Sequence, residues 1–183
     1  TKNMRRRTFF KSGGAALLGA SALGASAFTS TNMQAHTFQL KYAPHAGMFK
    51  HHAGDNIIDQ LNFMADMGFT AFEDNGMKNR PLAEQEQMAK VMAKRGIDMG
   101  VFVAHKIYWN EPNLASGKQD WKDEFLGQIK ESVEVAKRVN ATWMTVVPGH
   151  LDLRLDMGYQ TANVVETLKQ ASAILEPHNL VMV

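Results

Sequence analysis

Four clusters along the chain carry the groups able to do chemistry. Tyr42-Ala43-Pro44-His45 ends on an imidazole, and Glu73-Asp74-Asn75-Gly76 supplies two carboxylates and an amide. His105, Lys106 and Trp109 form a third cluster; His150 follows Pro148-Gly149 and precedes Asp152 and Arg154 in the fourth. Imidazole and carboxylate are the usual groups for moving protons and for holding divalent metals. Cysteine is absent, which excludes disulfides, thiolate metal sites and thiol nucleophiles. Plainer readings compete at each place. Asp-Asn-Gly is a favoured turn, and His36, His51, His52 and His178 read as solvated surface.

What must position these clusters is a regular alternation of strands and helices. Strand candidates fall at 38–43, 69–73, 97–104 and 141–147, and a fifth begins at 180–183. Each cluster lies at or just past the carboxyl end of one of them. Between the strands, Ile57, Leu61, Met64 and Gly68 recur at helical spacing behind a capping Asp55. A second helix starts around Pro81 and runs to Arg95, where Gly96 stops it. A third carries Leu126, Ile129, Val133 and Ala136 on one face. The fourth, 160–176, aligns Val164, Leu168, Ala171 and Leu175. The twelve methionines, Met64, Met67, Met88 and Met92 among them, read as helix packing.

A strand–helix beat of roughly 30 to 40 residues means a parallel sheet covered by helices. Doubly wound sheets and closed barrels share that pattern. No Gly-x-Gly-x-x-Gly follows the first strand, which weighs against a dinucleotide-binding sheet. The expectation is an α/β fold: a (β/α)8 barrel of which this chain holds the first four βα units and the start of strand five, about half of a typical barrel of roughly 250 residues. In such barrels the carboxyl ends of the strands converge on one rim, where the chemistry sits. His45, Glu73, Asn75, His105 and His150 are therefore the candidate pocket residues.

The amino terminus is of another kind. Arg5-Arg6-Arg7-Thr8-Phe9-Phe10-Lys11 precedes an Ala-, Gly-, Leu- and Ser-rich stretch from Gly13 to Ala27. Ala25-Ser26-Ala27 fits the small-x-small pattern of a signal peptidase site, and the run is too short and too glycine-rich for a stable spanning helix. Arg6, Arg7, Phe9 and Lys11 resemble a twin-arginine export signal, with Phe10 where Leu is commoner. Residues 1–27 are read as that signal, cleaved at Ala25 and Ala27, with an uncleaved anchoring terminus as the alternative. Residues 28–37 read as a polar linker and 38–183 as the barrel portion. The reading implies passage through the twin-arginine translocase and a periplasmic or otherwise exported location. The net charge of +2 is misleading, because Lys2, Arg5, Arg6, Arg7 and Lys11 carry five positive charges and the remainder is near −3. A basic nucleic-acid face is therefore not expected.

The stretch from Asp59 through Met77, Asp59-Gln60-Leu61-Asn62-Phe63-Met64-Ala65-Asp66-Met67-Gly68-Phe69-Thr70-Ala71-Phe72-Glu73-Asp74-Asn75-Gly76-Met77, resembles the first helix and second strand of hydroxypyruvate-isomerase-like proteins. These belong to the xylose-isomerase-like barrel superfamily of sugar phosphate isomerases and epimerases. Thr145-Val146-Val147-Pro148-Gly149 and Glu176-Pro177-His178-Asn179-Leu180-Val181-Met182-Val183 fit the same pattern. The resemblance implies a metal-assisted transfer of a proton next to a carbonyl, on a small sugar or hydroxy-keto acid. It implies a divalent ion (Mg, Mn or Zn) and two glutamates, the first at the end of strand five. That position lies beyond Val183, so no catalytic or metal-ligating residue is expected here and this stretch alone is expected to be inactive. The export leader departs from cytoplasmic hydroxypyruvate isomerases. A barrel that kept the fold and binds carbohydrate or a protein partner without catalysis is the alternative function, and an exported lyase or hydrolase of oxidised sugars a third. Homo-oligomerisation is compatible with all three.

Overall fold

The computed structural model describes residues 36–183. The signal residues Arg6, Arg7, Phe9, Lys11, Ala25 and Ala27 lie outside the described residues. Helices and strands alternate: α1 (Lys50–Ala53), α2 (Ile57–Asp66), β1 (Ala71–Phe72), α3 (Leu82–Arg95), β2 (Asp98–Met99), β3 (Val101–Val103), α4 (Gln119–Val139), β4 (Trp143–Thr145), α5 (Met157–Leu175) and β5 (Val181–Met182). Every strand pairing is parallel. β1 pairs with β2, β3 with β4, and β4 with β5. β2 and β3 are two halves of one strand, parted at Gly100. The main chain still bridges there, through Gly100 N–H to the Phe72 carbonyl at 2.7 Å and Asp74 N–H to the Val101 carbonyl at 3.2 Å. The sheet is extended at its other edge by a parallel bridge between His45 and Glu73. This is the succession of a (β/α)8 barrel: four βα units and a fifth strand.

Alternation along the strands sorts side chains to two faces. Phe72, Met99, Phe102 and Met144 are buried against the helices, joined there by Leu61, Met64, Met88, Ile129 and Leu175. Burying a large apolar side chain contributes roughly 1.5 to 3 kcal/mol, so this helix-facing layer holds the stretch together. Intervening residues such as Glu73, Val101, Val103 and Thr145 are only half buried. They face away from the helices, on the side that a closed barrel would make its lumen. Among the described residues no helix is long and apolar enough to cross a membrane.

Several local expectations shift. The first strand is not 38–43: Phe38, Leu40 and Tyr42 alternate apolar side chains but stay exposed, and the pairing begins with the Pro44 carbonyl accepting Glu73 N–H at 3.0 Å. The cap of α2 is Asn56, whose side chain accepts Ile58 N–H, rather than Asp55. Pro81 precedes α3 instead of entering its first turn. His51 and His52 are exposed, as expected, although they belong to the single-turn helix α1. α5 starts three residues earlier than 160, because Asp156 caps it by accepting Tyr159 N–H. Gly96 does end α3, with a φ of 68° that a residue with a Cβ rarely adopts.

Each βα loop is tied down by a glutamine from the helix that follows it. Gln60 of α2 accepts Gly47 N–H and donates to the Gly54 carbonyl. Gln85 of α3 donates to the Arg80 carbonyl. Gln128 of α4 accepts Lys106 N–H. Gln160 of α5 accepts Asp152 N–H and donates to the Asp152 and Leu155 carbonyls. Gln60, Gln85 and Gln160 are buried; Gln60 and Gln160 give both a donor and an acceptor to backbone groups, whereas the Gln85 oxygen accepts from the Arg138 guanidinium.

Candidate functional site

The five candidate residues all lie at or beyond the carboxyl ends of the strands, in three separate settings. His45 and Glu73 stand in register on neighbouring parallel strands, so their side chains share one sheet face. Phe72 and Asp74, on either side of Glu73, are buried toward the helices. Glu73 therefore projects to the open face, with His45 beside it. His45 Nδ1 donates to the Ala46 carbonyl at 2.8 Å, an arrangement that in the neutral ring leaves Nε2 as an acceptor. The result is an imidazole and a carboxylate side by side on the face where a barrel does its chemistry.

Asp74 has a different task. Its carboxylate is buried, accepts Gly76 N–H at 3.0 Å, and pairs with Arg80 Nε at 2.5 Å. Arg80 also reaches Glu84 at 2.8 Å, and these carboxylates keep its guanidinium charge in place although partial burial opposes it. The Glu-Asp-Asn-Gly cluster is thus a turn with a carboxylate left on its open side. Asp74 builds the turn, Glu73 faces the open side, and Asn75 is exposed at the tip.

His105 is only 5% exposed. Its Nε2 accepts Val147 N–H at 3.0 Å, its Nδ1 lies 2.8 Å from the Lys106 carbonyl, and its ring meets Phe125 edge-on at 4.8 Å. Both ring nitrogens are spoken for, so the imidazole is neutral with the proton on Nδ1. Burial lowers its pKa below the usual histidine value, and the nearby Lys78 charge lowers it further. His105 bolts the end of β3 to the end of β4. His150 lies beyond, exposed, its backbone N–H donating to the Glu111 carbonyl at 3.4 Å. Beside it Asp152 is held by Arg154, and its pKa falls to about 2.

Asn75 and His105 come together on a cavity of about 650 Å³, which Trp109 also lines. A cavity of about 670 Å³ opens elsewhere, between α2 and the start of α3, but there Arg80 is already taken by Asp74 and Glu84. Among the described residues no three His, Asp or Glu side chains converge as a metal site. His45 and Glu73 supply two groups, short of the three or more that a protein-held ion generally has.

Two contributors to the rim were not read from the sequence. Lys78 spends its ammonium on the Ala104 and Gln128 carbonyls and on Glu131, at 3.0, 2.8 and 3.2 Å. Gln128 orders the loop after β3. Neither sits in a motif, and a periodic apolar pattern carries no signal for a polar residue that braces a loop.

No family profile matches the chain, and no curated protein matches it. Solved structures do. A family 2 AP endonuclease from Brucella melitensis is similar at a TM-score of 0.59 and 15% identity, over 78% of this chain and 53% of that one. D-psicose 3-epimerase from Clostridium cellulolyticum H10, solved with D-tagatose, is similar at 0.59 and 12%, over 78% and 51%. A 3-keto-D-glucoside 4-epimerase from E. coli is similar at 0.59 and 17%, over 79% and 55%. The chain spans about half the length of these structures. At such identities the likeness shows the fold alone.

Proposed function

We propose that the whole protein is an exported sugar or hydroxy-keto acid isomerase or epimerase, of the hydroxypyruvate-isomerase-like type, that moves a proton on the carbon next to a carbonyl. The observation that carries this reading is the His45–Glu73 pair, an imidazole acceptor and a carboxylate in register at the carboxyl ends of neighbouring strands. Such a pair suits a polyhydroxylated substrate, because both groups accept hydrogen bonds from hydroxyls. The epimerases among the similar structures act on sugars by their names, and they support the same chemistry. In this reading His45 and Glu73 face the substrate, Asn75 and His150 stand at other points of the same rim, and His105 positions that rim. The resemblance puts the proton-moving glutamates and the ligands of a divalent ion beyond Val183. That ion would polarise the substrate's carbonyl oxygen, and the residues described here assign no step to it.

The test is exchange of substrate hydrogen with solvent. The whole protein, with Mg, Mn or Zn supplied, is incubated in heavy water with D-fructose, D-tagatose and hydroxypyruvate. Deuterium should enter at the carbon beside the carbonyl, and chelation should stop it. Glu73→Gln should lower kcat/KM about 10- to 100-fold, the value of a hydrogen bond to a charged group, with metal content unchanged. A protein that binds these sugars but exchanges no hydrogen would instead be a carbohydrate-binding barrel.

A further inference from the structure

The geometry points to a carbohydrate-stacking subsite in the cavity beside β3, where the Trp109 indole is the platform for an uncharged, unphosphorylated pyranose ring. Neither His45 nor Glu73 lines this cavity, so the subsite stands beside the pair proposed above and rests on that reading only for its place in a reaction. The binding itself stands on the cavity's own chemistry.

Trp109 is 69% exposed while it lines the cavity. Its neighbours in sequence and space are otherwise engaged: Tyr108 packs edge-on against Trp121 at 4.7 Å and donates to Glu124 at 2.8 Å. A wide apolar ring left in water at the mouth of a polar cavity is a surface for a ligand with one apolar face. A pyranose has that shape, with C–H groups on one side and hydroxyls round the edge. Asn75 and Asn79 line the same cavity and are exposed at its mouth. Each side-chain amide offers a donor and an acceptor in one plane, which matches a hydroxyl that is itself both.

The charges in the cavity argue against a phosphorylated sugar. Lys78 has three ammonium protons, and all three are taken, by the Ala104 and Gln128 carbonyls and by Glu131. His105 has no free nitrogen. Lys106 is drawn over the Tyr108 ring, 4.3 Å from its centre. Glu131 adds a carboxylate to the lining. A phosphate dianion entering here would meet that carboxylate and the single exposed ammonium of Lys106, rather than the clustered cationic donors that phosphate sites use. A neutral ring meets no such penalty.

Calorimetric titration of the whole protein with methyl β-D-glucopyranoside, and separately with D-glucose 6-phosphate, tests this, with indole fluorescence as a second readout. The methyl glycoside should bind saturably and quench fluorescence, and the phosphate ester should bind no tighter. Trp109→Ala should weaken glycoside binding about tenfold, the order of one lost aromatic contact. Trp109→Phe should retain it within about threefold by keeping a ring. Because the indole is exposed, both variants should melt where the parent does. Equal glycoside affinity in parent and Trp109→Ala, or an ester that binds tenfold more tightly than the glycoside, overturns the proposal. Stacking on Trp109 without hydrogen exchange in any sugar would sink the isomerase reading and leave the subsite standing. Exchange with glycoside binding indifferent to Trp109 would do the reverse.

Discussion

Replacing His105 with phenylalanine separates its ring from its hydrogen bonds. The ring contact with Phe125 at 4.8 Å survives, but Val147 N–H loses its acceptor and the Lys106 carbonyl loses its donor. An orphaned amide costs about 1 to 3 kcal/mol, and an ordinary hydrogen bond contributes about 1. The expected loss at pH 7.5 is therefore about 2 to 4 kcal/mol. At about 2 to 4 °C per kcal/mol for domains of 150 to 250 residues, that lowers the melting temperature by about 4 to 16 °C. The pH dependence has a definite sign. Burial lowers the pKa of His105 in the folded protein, so below the ordinary histidine value the unfolded chain takes up a proton that the folded one refuses. Stability from the neutral ring is fully present above about pH 6.5 and drains away as pH falls toward the folded pKa, by up to about 1.4 kcal/mol per pH unit. The variant lacks this titration, so the gap between parent and His105→Phe should narrow from pH 7.5 to pH 5. Every other side chain is the same in both proteins and cancels in the difference. Urea unfolding of both at pH 7.5, 6.0 and 5.0 measures it. A gap that stays constant across that range would refute the neutral, two-bond assignment.

Two further outcomes follow from the structure and a third from the sequence. Arg80→Met strands the buried Asp74 carboxylate and should cost about 3 to 5 kcal/mol, whereas adding Asp74→Asn should recover part of that loss; strictly additive unfolding energies would contradict the pairing. Gly149 has a φ of 98°, and a Cβ there would run into Asn113 Oδ1, so Gly149→Ala should cost at least about 1 to 3 kcal/mol of backbone strain, which thermal melting would detect. Arg6→Lys with Arg7→Lys should leave precursor in the cytoplasm on fractionation, and normal export of the double variant would remove the twin-arginine reading.

The helices were legible because their signals are local. Ile57, Leu61 and Met64 recur on one turn-spaced face and are all buried, and Gly96 marks an end by its conformation alone. The first strand was misplaced because Phe38, Leu40 and Tyr42 imitate strand alternation, while the true edge is set by pairing with Glu73, a partner 28 residues on from His45. The rim positions of His45, Glu73, Asn75, His105 and His150 could be inferred from where strands end. Their roles could not. A histidine that accepts a distant amide and one that faces the open side of the sheet are the same letter, and it is the neighbours Val147 and Phe125 that separate His105 from His45. Trp109 was visible as a residue, but its exposure depends on Tyr108, rather than Trp109, packing on Trp121.

The glutamines that tie the loops bear on how such a barrel can change over time. Gln60, Gln85, Gln128 and Gln160 each brace the loop just before their own helix, so a loop's shape is written within its own unit. The loop before α5 shows how far this goes: Leu153 is 88% exposed, yet Gln160 holds the backbone on both sides of it. Descendants of this chain can therefore re-sequence the part of a loop that its own glutamine braces, whereas the points where loops touch, Lys78 on the Ala104 carbonyl and His150 on the Glu111 carbonyl, must change together.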